Sequence, residues 1–312
     1  MNGAAVETFE CFGGRCTVRV TDRDASGVDR AARQAQLTLL GAHRLLSRFD
    51  PDSELSRLNR DPRRAVPASP LLRKVVAAAL TAGLRSGGLV DATLVAEIEA
   101  AGYAESRDFD GGHKSGPTPS PQPAAPNPRA DWCALSIDEG AGTVTRPPGL
   151  RLDPGGIAKG LMADLVGEAL AEFGSFAVDC CGDLRVGGAG GREQRILVED
   201  PAGGEPLHEL RIADGAVATS GITRRAWTGT DGRAAHQIID PSTGRPAFTG
   251  VIQATAVAPT GVLAETLAKT ALLVGPGRAE SQLPFGGVIV EDGGAVRIIE
   301  PLASLLPKVQ AA

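Results

Sequence analysis

From Asp131 onward the chain breaks into short β-like runs, at 135–137, 177–178, 195–198, 238–239, 251–257 and 287–290, with only two long helical stretches among them, 157–173 and 262–274. Strands in series with few helices do not make a doubly wound fold, which alternates strictly. They point instead to an α+β architecture with mixed, largely antiparallel sheets and packed helices. The 40 Gly and 22 Pro supply the many turns such a chain needs. The N-terminal part adds a strand from Arg15 to Val20 and a helix. In that helix Val28, Ala32, Ala35, Leu39, Ala42, Leu46 and Phe49 follow steps of three and four, one buried face, until Asp50-Pro51 stops it. Ser69-Pro70 is an N-cap followed by proline in the first turn, and opens a second helix that runs to Gly87-Gly88.

Residues 105–131 change character. SGPTPSPQPAAPNP, from Ser115 to Pro128, has no apolar periodicity and reads as a flexible, polyproline-like surface excursion within one domain spanning 1–312, or equally as a linker between two lobes.

Charge and cysteine content exclude several classes. Thirty-two basic against 37 acidic residues give a net charge of −5, which argues against a nucleic-acid binder held by phosphate contacts. Five Cys without CxxC spacing argue against a disulfide scaffold or zinc module. Cys180-Cys181 reads as buried packing. With no basic-then-apolar leader at the N-terminus and no run of about 18 apolar residues, a cytoplasmic location without a membrane span is expected.

Four segments carry the polar chemistry. RLDPGGIAKG, from Arg151 to Gly160, leads into a helix. Its glycines let backbone N–H groups converge, the helix N-terminus adds partial positive charge, and Lys159 adds a full one. Asp153 stands at its entrance. The segment is either a cradle for phosphate oxygens or a tight turn seating a helix on a sheet; it matches neither Walker A nor the dinucleotide pattern. In ATSGIT, from Ala218, small hydroxyl residues precede Arg224-Arg225, which either neutralise an anion or are solvated. In HQIIDPSTGRP, from His236, the histidine is a candidate base or a polar strand residue, and Asp240-Pro241 marks a turn. In AETLAKTALLVG, from Ala264, Glu265 and Lys269 stand at i, i+4. On an exposed helix such a pair is worth roughly 0.3 kcal/mol.

The order of these segments is more specific than any one of them. FDPDSELSRLN from Phe49, GLVDAT from Gly88, LDPGGIAKG from Leu152, ATSG from Ala218, HQIIDP from His236 with Gly244, and the Ala264 helix together resemble the ApbE-type FAD:protein FMN transferases. The resemblance implies an FAD site between two lobes and transfer of FMN from FAD to a Thr or Ser hydroxyl of an acceptor flavoprotein. AMP is released and Mg²⁺ assists. By resemblance, FAD contacts fall on Phe12, Phe49, Leu89, Val90, Asp91, Asp153, Lys159 and Ile239, and metal positions on the Gly156 carbonyl, Glu265 and Lys269. His236 is the candidate catalytic base. The chain departs from the family pattern at four places. Glu265 replaces an Asp, Lys269 a hydroxyl ligand and Gln237 a second His, and Cys181-Gly-Asp183 stands for Gly-Gly-Asp. An ammonium has no lone pair for a metal, and Thr270 serves only if the helix register slips. The other readings are a metal-dependent FAD pyrophosphatase, giving FMN and AMP, and an FAD-binding protein without turnover.

Overall fold

The structure, a computed structural model, describes residues 3–107, 117–229 and 231–302. One eight-stranded sheet organises it. Its strands are β1 (Gly3–Cys11), β2 (Gly14–Asp22), β3 (Ser175–Cys180), β4 (Asp183–Gly187), β5 (Gly215–Gly221), β6 (Val251–Ala258), β7 (Gly287–Glu291) and β8 (Val296–Ile299). They lie side by side in chain order, and every neighbouring pair is antiparallel. The fold is therefore the expected α+β class, with an antiparallel meander interrupted by insertions.

Three helices cover the sheet in the same order. α1 (Val28–Leu46) lies on β1 and β2. Two short helices, α2 (Glu54–Arg60) and, later, α4 (Val95–Ala100), flank α3 (Pro70–Ser86). Next, α5 (Ala158–Ala169) lies on β3 and β4, and α6 (Gly261–Val274) on β5 and β6. The apolar stripe of α1 is buried at Val28, Ala32, Ala35, Leu39, Ala42 and Leu46, as its spacing requires, though the helix ends at Leu46 rather than Phe49. Ser69 caps α3 by accepting the Leu72 amide at 3.2 Å, and Gly87 ends it in the left-handed conformation at φ 62°. Sequence reasoning missed β1, which pairs in unbroken register with β2, and the short α2.

Two contacts between α5 and α6 set the site. A Cβ at Gly160 would strike the Gly261 carbonyl, and one at Gly261 would lie 2.9 Å from Gly160 Cα, so two glycines let the backbones touch. Asp164 on α5 then accepts the first amides of α6, Gly261 N at 2.6 Å and Val262 N at 3.1 Å.

Of the Pro-rich segment, residues 108–116 lie outside the described residues. The described part is tied down. The Gln122 amide donates to the Phe248 carbonyl and the Ala124 amide to the Leu273 carbonyl, both at 2.8 Å, and Ala124 is buried. Among the described residues, no helix is long and apolar enough to cross a membrane.

Candidate functional site

A cavity of about 960 Å³ lies among the β1–β2 turn, the end of α1, the loops around α4, the Gly-rich turn before α5, strands β5 and β6, and α6. That is the upper end of the range for small-molecule sites, about 300–1,000 Å³. Phe12, Phe49, Leu89, Val90, Asp91, Asp153, Lys159 and Ile239 all line it, as do Gly156 and Lys269. Residues more than two hundred positions apart in the chain thus converge on one wall. Glu265 lies just behind that wall. His236 does not reach it.

The Gly-rich turn is held by the protein's own carboxylates. Asp153 Oδ1 accepts the Gly155 amide at 2.8 Å, and its Oδ2 pairs with Arg48 Nε at 2.7 Å. Glu265 Oε2 accepts the Gly160 amide at 2.9 Å, capping the first turn of α5 from α6. Two of the amides that could have cradled phosphate are therefore already used. Lys159 pairs with Asp183 on β4 and lies 3.8 Å from Glu265 Oε1. Burial disfavours its charged form, but the carboxylates of Asp183 and Glu265 outweigh that and hold its pKa above the usual lysine value. Burial raises Asp183, which Lys159 only partly offsets. Burial likewise works against ionised Glu265, yet Lys269, Lys159 and the Gly160 amide bring its pKa below the usual carboxylate value. Asp183 stands in a motif quoted above without a role; the sequence carried no signal that it meets Lys159.

The expected metal ligands do not fit a divalent ion. Lys269 Nζ donates to Glu265 Oε1 at 2.9 Å, so both Glu265 oxygens are engaged. The Lys269 stem crosses Gly156, where a Cβ would lie 3.2 Å from Lys269 Cε. Thr270 offers no replacement, because it is buried and does not line the cavity, its hydroxyl donating to the Thr266 carbonyl at 2.7 Å. Among the described residues no three His, Cys, Asp or Glu side chains group as a metal site. A divalent ion about 4 Å from the ammonium would be repelled by roughly 8 kcal/mol at an effective dielectric of 20.

Part of the lining is aromatic. Phe49 and Tyr103 meet edge-on with centroids 5.3 Å apart, and the Arg48 guanidinium lies 4.1 Å from the Phe49 centroid and 4.9 Å from that of Tyr103. Tyr103 follows α4 in a stretch without periodicity, so nothing in the sequence singled it out. Asp91 Oδ1 accepts the Thr93 amide at 2.8 Å and the Thr93 hydroxyl at 2.6 Å, while its buried Oδ2 has no partner among the described residues. Arg225, flagged as a possible anion neutraliser, lines the cavity and donates to the Phe12 and Gly13 carbonyls at 3.1 and 3.2 Å. Cys180 is buried, as expected, but Cys181 lines the cavity.

The candidate base, His236, is not among the residues that line the cavity. His236 is fully buried, its ring packs 4.8 Å from Phe248, and Nδ1 accepts the Ile238 amide at 3.2 Å. The strand ends at His236 and the chain bends at Gln237, and it is Gln237, with Ile238 and Ile239, that lines the cavity. Gln237 donates to the Gly221 carbonyl at 3.3 Å, and its buried Oε1 has no partner among the described residues. An amide is not a base at this position.

An antiparallel α+β sheet with a dinucleotide-sized cavity partly lined by aromatic residues defines the class of protein. The ApbE family model matches residues 12–284, and the chain belongs to the ApbE family. It is 30% identical over 294 residues to the FAD:protein FMN transferase of Treponema pallidum, covering 85% of this chain and 77% of the relative. To the FAD:protein FMN transferase of Salmonella typhimurium it is 26% identical over 286 residues, 88% of this chain and 79% of the relative. Its fold matches the crystal structure of the ApbE protein of Thermotoga maritima with a TM-score of 0.77 at 23% identity, over 95% of this chain and 97% of that one. It also matches the apo flavinyl transferase ApbE of Pseudomonas stutzeri, with a TM-score of 0.74 at 22% identity, over 96% and 95%.

Proposed function

We propose that this chain transfers FMN from FAD to a Ser or Thr hydroxyl of an acceptor protein, with release of AMP. The observation that carries this reading is the convergence of the eight expected flavin-contact residues, Phe12 to Ile239, on one cavity large enough for a dinucleotide. Asp91 Oδ2 and Gln237 Oε1, buried acceptors without a partner among the described residues, support it, since each would gain a donor from a polar ligand. Phe49 and Tyr103 add aromatic surface to the cavity lining. Phosphoryl transfer is governed by positioning and charge neutralisation more than by covalent help, and Lys159 and Lys269 bring ammonium groups to the wall. Magnesium, expected from the resemblance, has no fitting donor set here, and no step is routed through it.

Incubation with FAD and candidate acceptor proteins tests the reading. In-gel flavin fluorescence on the acceptor with stoichiometric AMP is the expected result. Free FMN and AMP would instead mark a pyrophosphatase, and intact bound FAD a binding protein.

A further inference from the structure

The corner formed by Glu265, Lys269 and Gly156 fails as a metal site, and its geometry has a chemical reading of its own. Lys269 follows Glu265 by one turn of α6, on the same face. The Glu265 side chain keeps 1% of its surface exposed and Lys269 17%, so the ammonium stands between the buried carboxylate and the cavity it lines. Its stem is seated by the missing side chain at Gly156. An ammonium has three N–H donors. One goes to Glu265 Oε1, which leaves donors for oxygens on the cavity side. Glu265 cannot readily turn away, because its other oxygen caps α5 at Gly160.

From this we infer that the Lys269 ammonium, seated on Glu265 beside Gly156, is the protein's own cation for the FAD pyrophosphate, so that FMN transfer by this chain needs no divalent metal ion. The inference rests on the flavin-transfer reading above. In that reaction the acceptor hydroxyl oxygen bonds to the flavin-side phosphorus. The bridging P–O bond breaks, AMP leaves with the bonding electron pair, and the hydroxyl proton is released to water. Negative charge grows on the leaving phosphate. A cation already fixed beside it needs no reorganisation as the bond breaks. Lys269 is a catalytic residue in this scheme, because it touches the phosphate; Glu265 is its positioning residue.

Two measurements on the full chain test the inference. Calorimetric titration with FAD in EDTA and in magnesium should give dissociation constants within about twofold of each other. Electron paramagnetic resonance should find free Mn²⁺ unaltered by the wild-type protein. It should detect bound Mn²⁺ when Glu265→Asp and Lys269→Thr are combined, and FAD affinity of that variant should then fall about tenfold or more on adding EDTA. A wild-type chain that binds Mn²⁺ and loses FAD affinity in EDTA overturns the inference while leaving the flavin reading intact. Absence of FAD binding in both buffers overturns the flavin reading and the inference with it. The wild-type arms need no substitution to fold.

Discussion

Asp91 and Glu265 each hold a carboxylate out of water, and they differ in what neutralises it. Glu265 has Lys269, Lys159 and a helix amide, and its pKa is lowered. Asp91 has only the two Thr93 donors on one oxygen, and burial raises its pKa above the ordinary 3.8. A raised folded-state value means that the stabilisation is fully present below 3.8 and is lost as pH rises through the folded pKa. Without FAD, the wild-type protein should therefore lose stability relative to Asp91→Asn as pH climbs through that window. Paired melting curves across it check this, and parallel curves would contradict it. FAD should narrow the gap by giving Oδ2 a donor. At this scale the sequence was most legible in which residues line the cavity, Phe12, Phe49 and Asp91 among them. It was illegible where a role depends on where the chain bends after a short strand. HQIIDP does not reveal that Gln237 looks inward at the cavity while His236 packs on Phe248. Nor does it show that Asp183, on a distant strand, receives Lys159.

The crossing of α5 and α6 determines where the charged corner sits. Replacing a helical glycine with alanine ordinarily stabilises by about 1 kcal/mol. At Gly160 the sign should reverse, because the new methyl would meet the Gly261 carbonyl and lie 2.9 Å from Val262 N, backbone atoms that cannot step aside cheaply. Gly160→Ala should cost about 1–3 kcal/mol in urea unfolding, and it should weaken FAD binding by displacing Glu265 from its amide. A neutral or stabilising result would show that the helices separate freely. The Pro-rich segment gives a second test. Its composition suggested an excursion, since no apolar period marks it. Yet Gln122 and Ala124, between prolines that have no N–H, donate to the body of the protein, and Ala124 is buried. With each backbone bond worth about 0.5–1.5 kcal/mol net, deleting residues 117–126 should lower stability by roughly 1–3 kcal/mol. A deletion variant with unchanged urea midpoint would show that these contacts contribute nothing. Helices with a clear stripe or cap, α1 and α3, were legible in outline. β1, whose partner strand rather than its own pattern defines it, was not.

Across the whole molecule, the meander places its chemistry at the junctions of strands and helices, so the cavity is assembled from nearly every insertion between strands. That is why motif order along the chain carried more information than any single motif. FAD adds a second phosphate and an adenosine to what FMN presents. The central claim, that this cavity is built for the whole dinucleotide, is tested most directly by calorimetric titration of the chain with FAD and with FMN in the same buffer. The account predicts that FAD binds at least about tenfold more tightly, a difference of about 1.4 kcal/mol; equal affinities would contradict it.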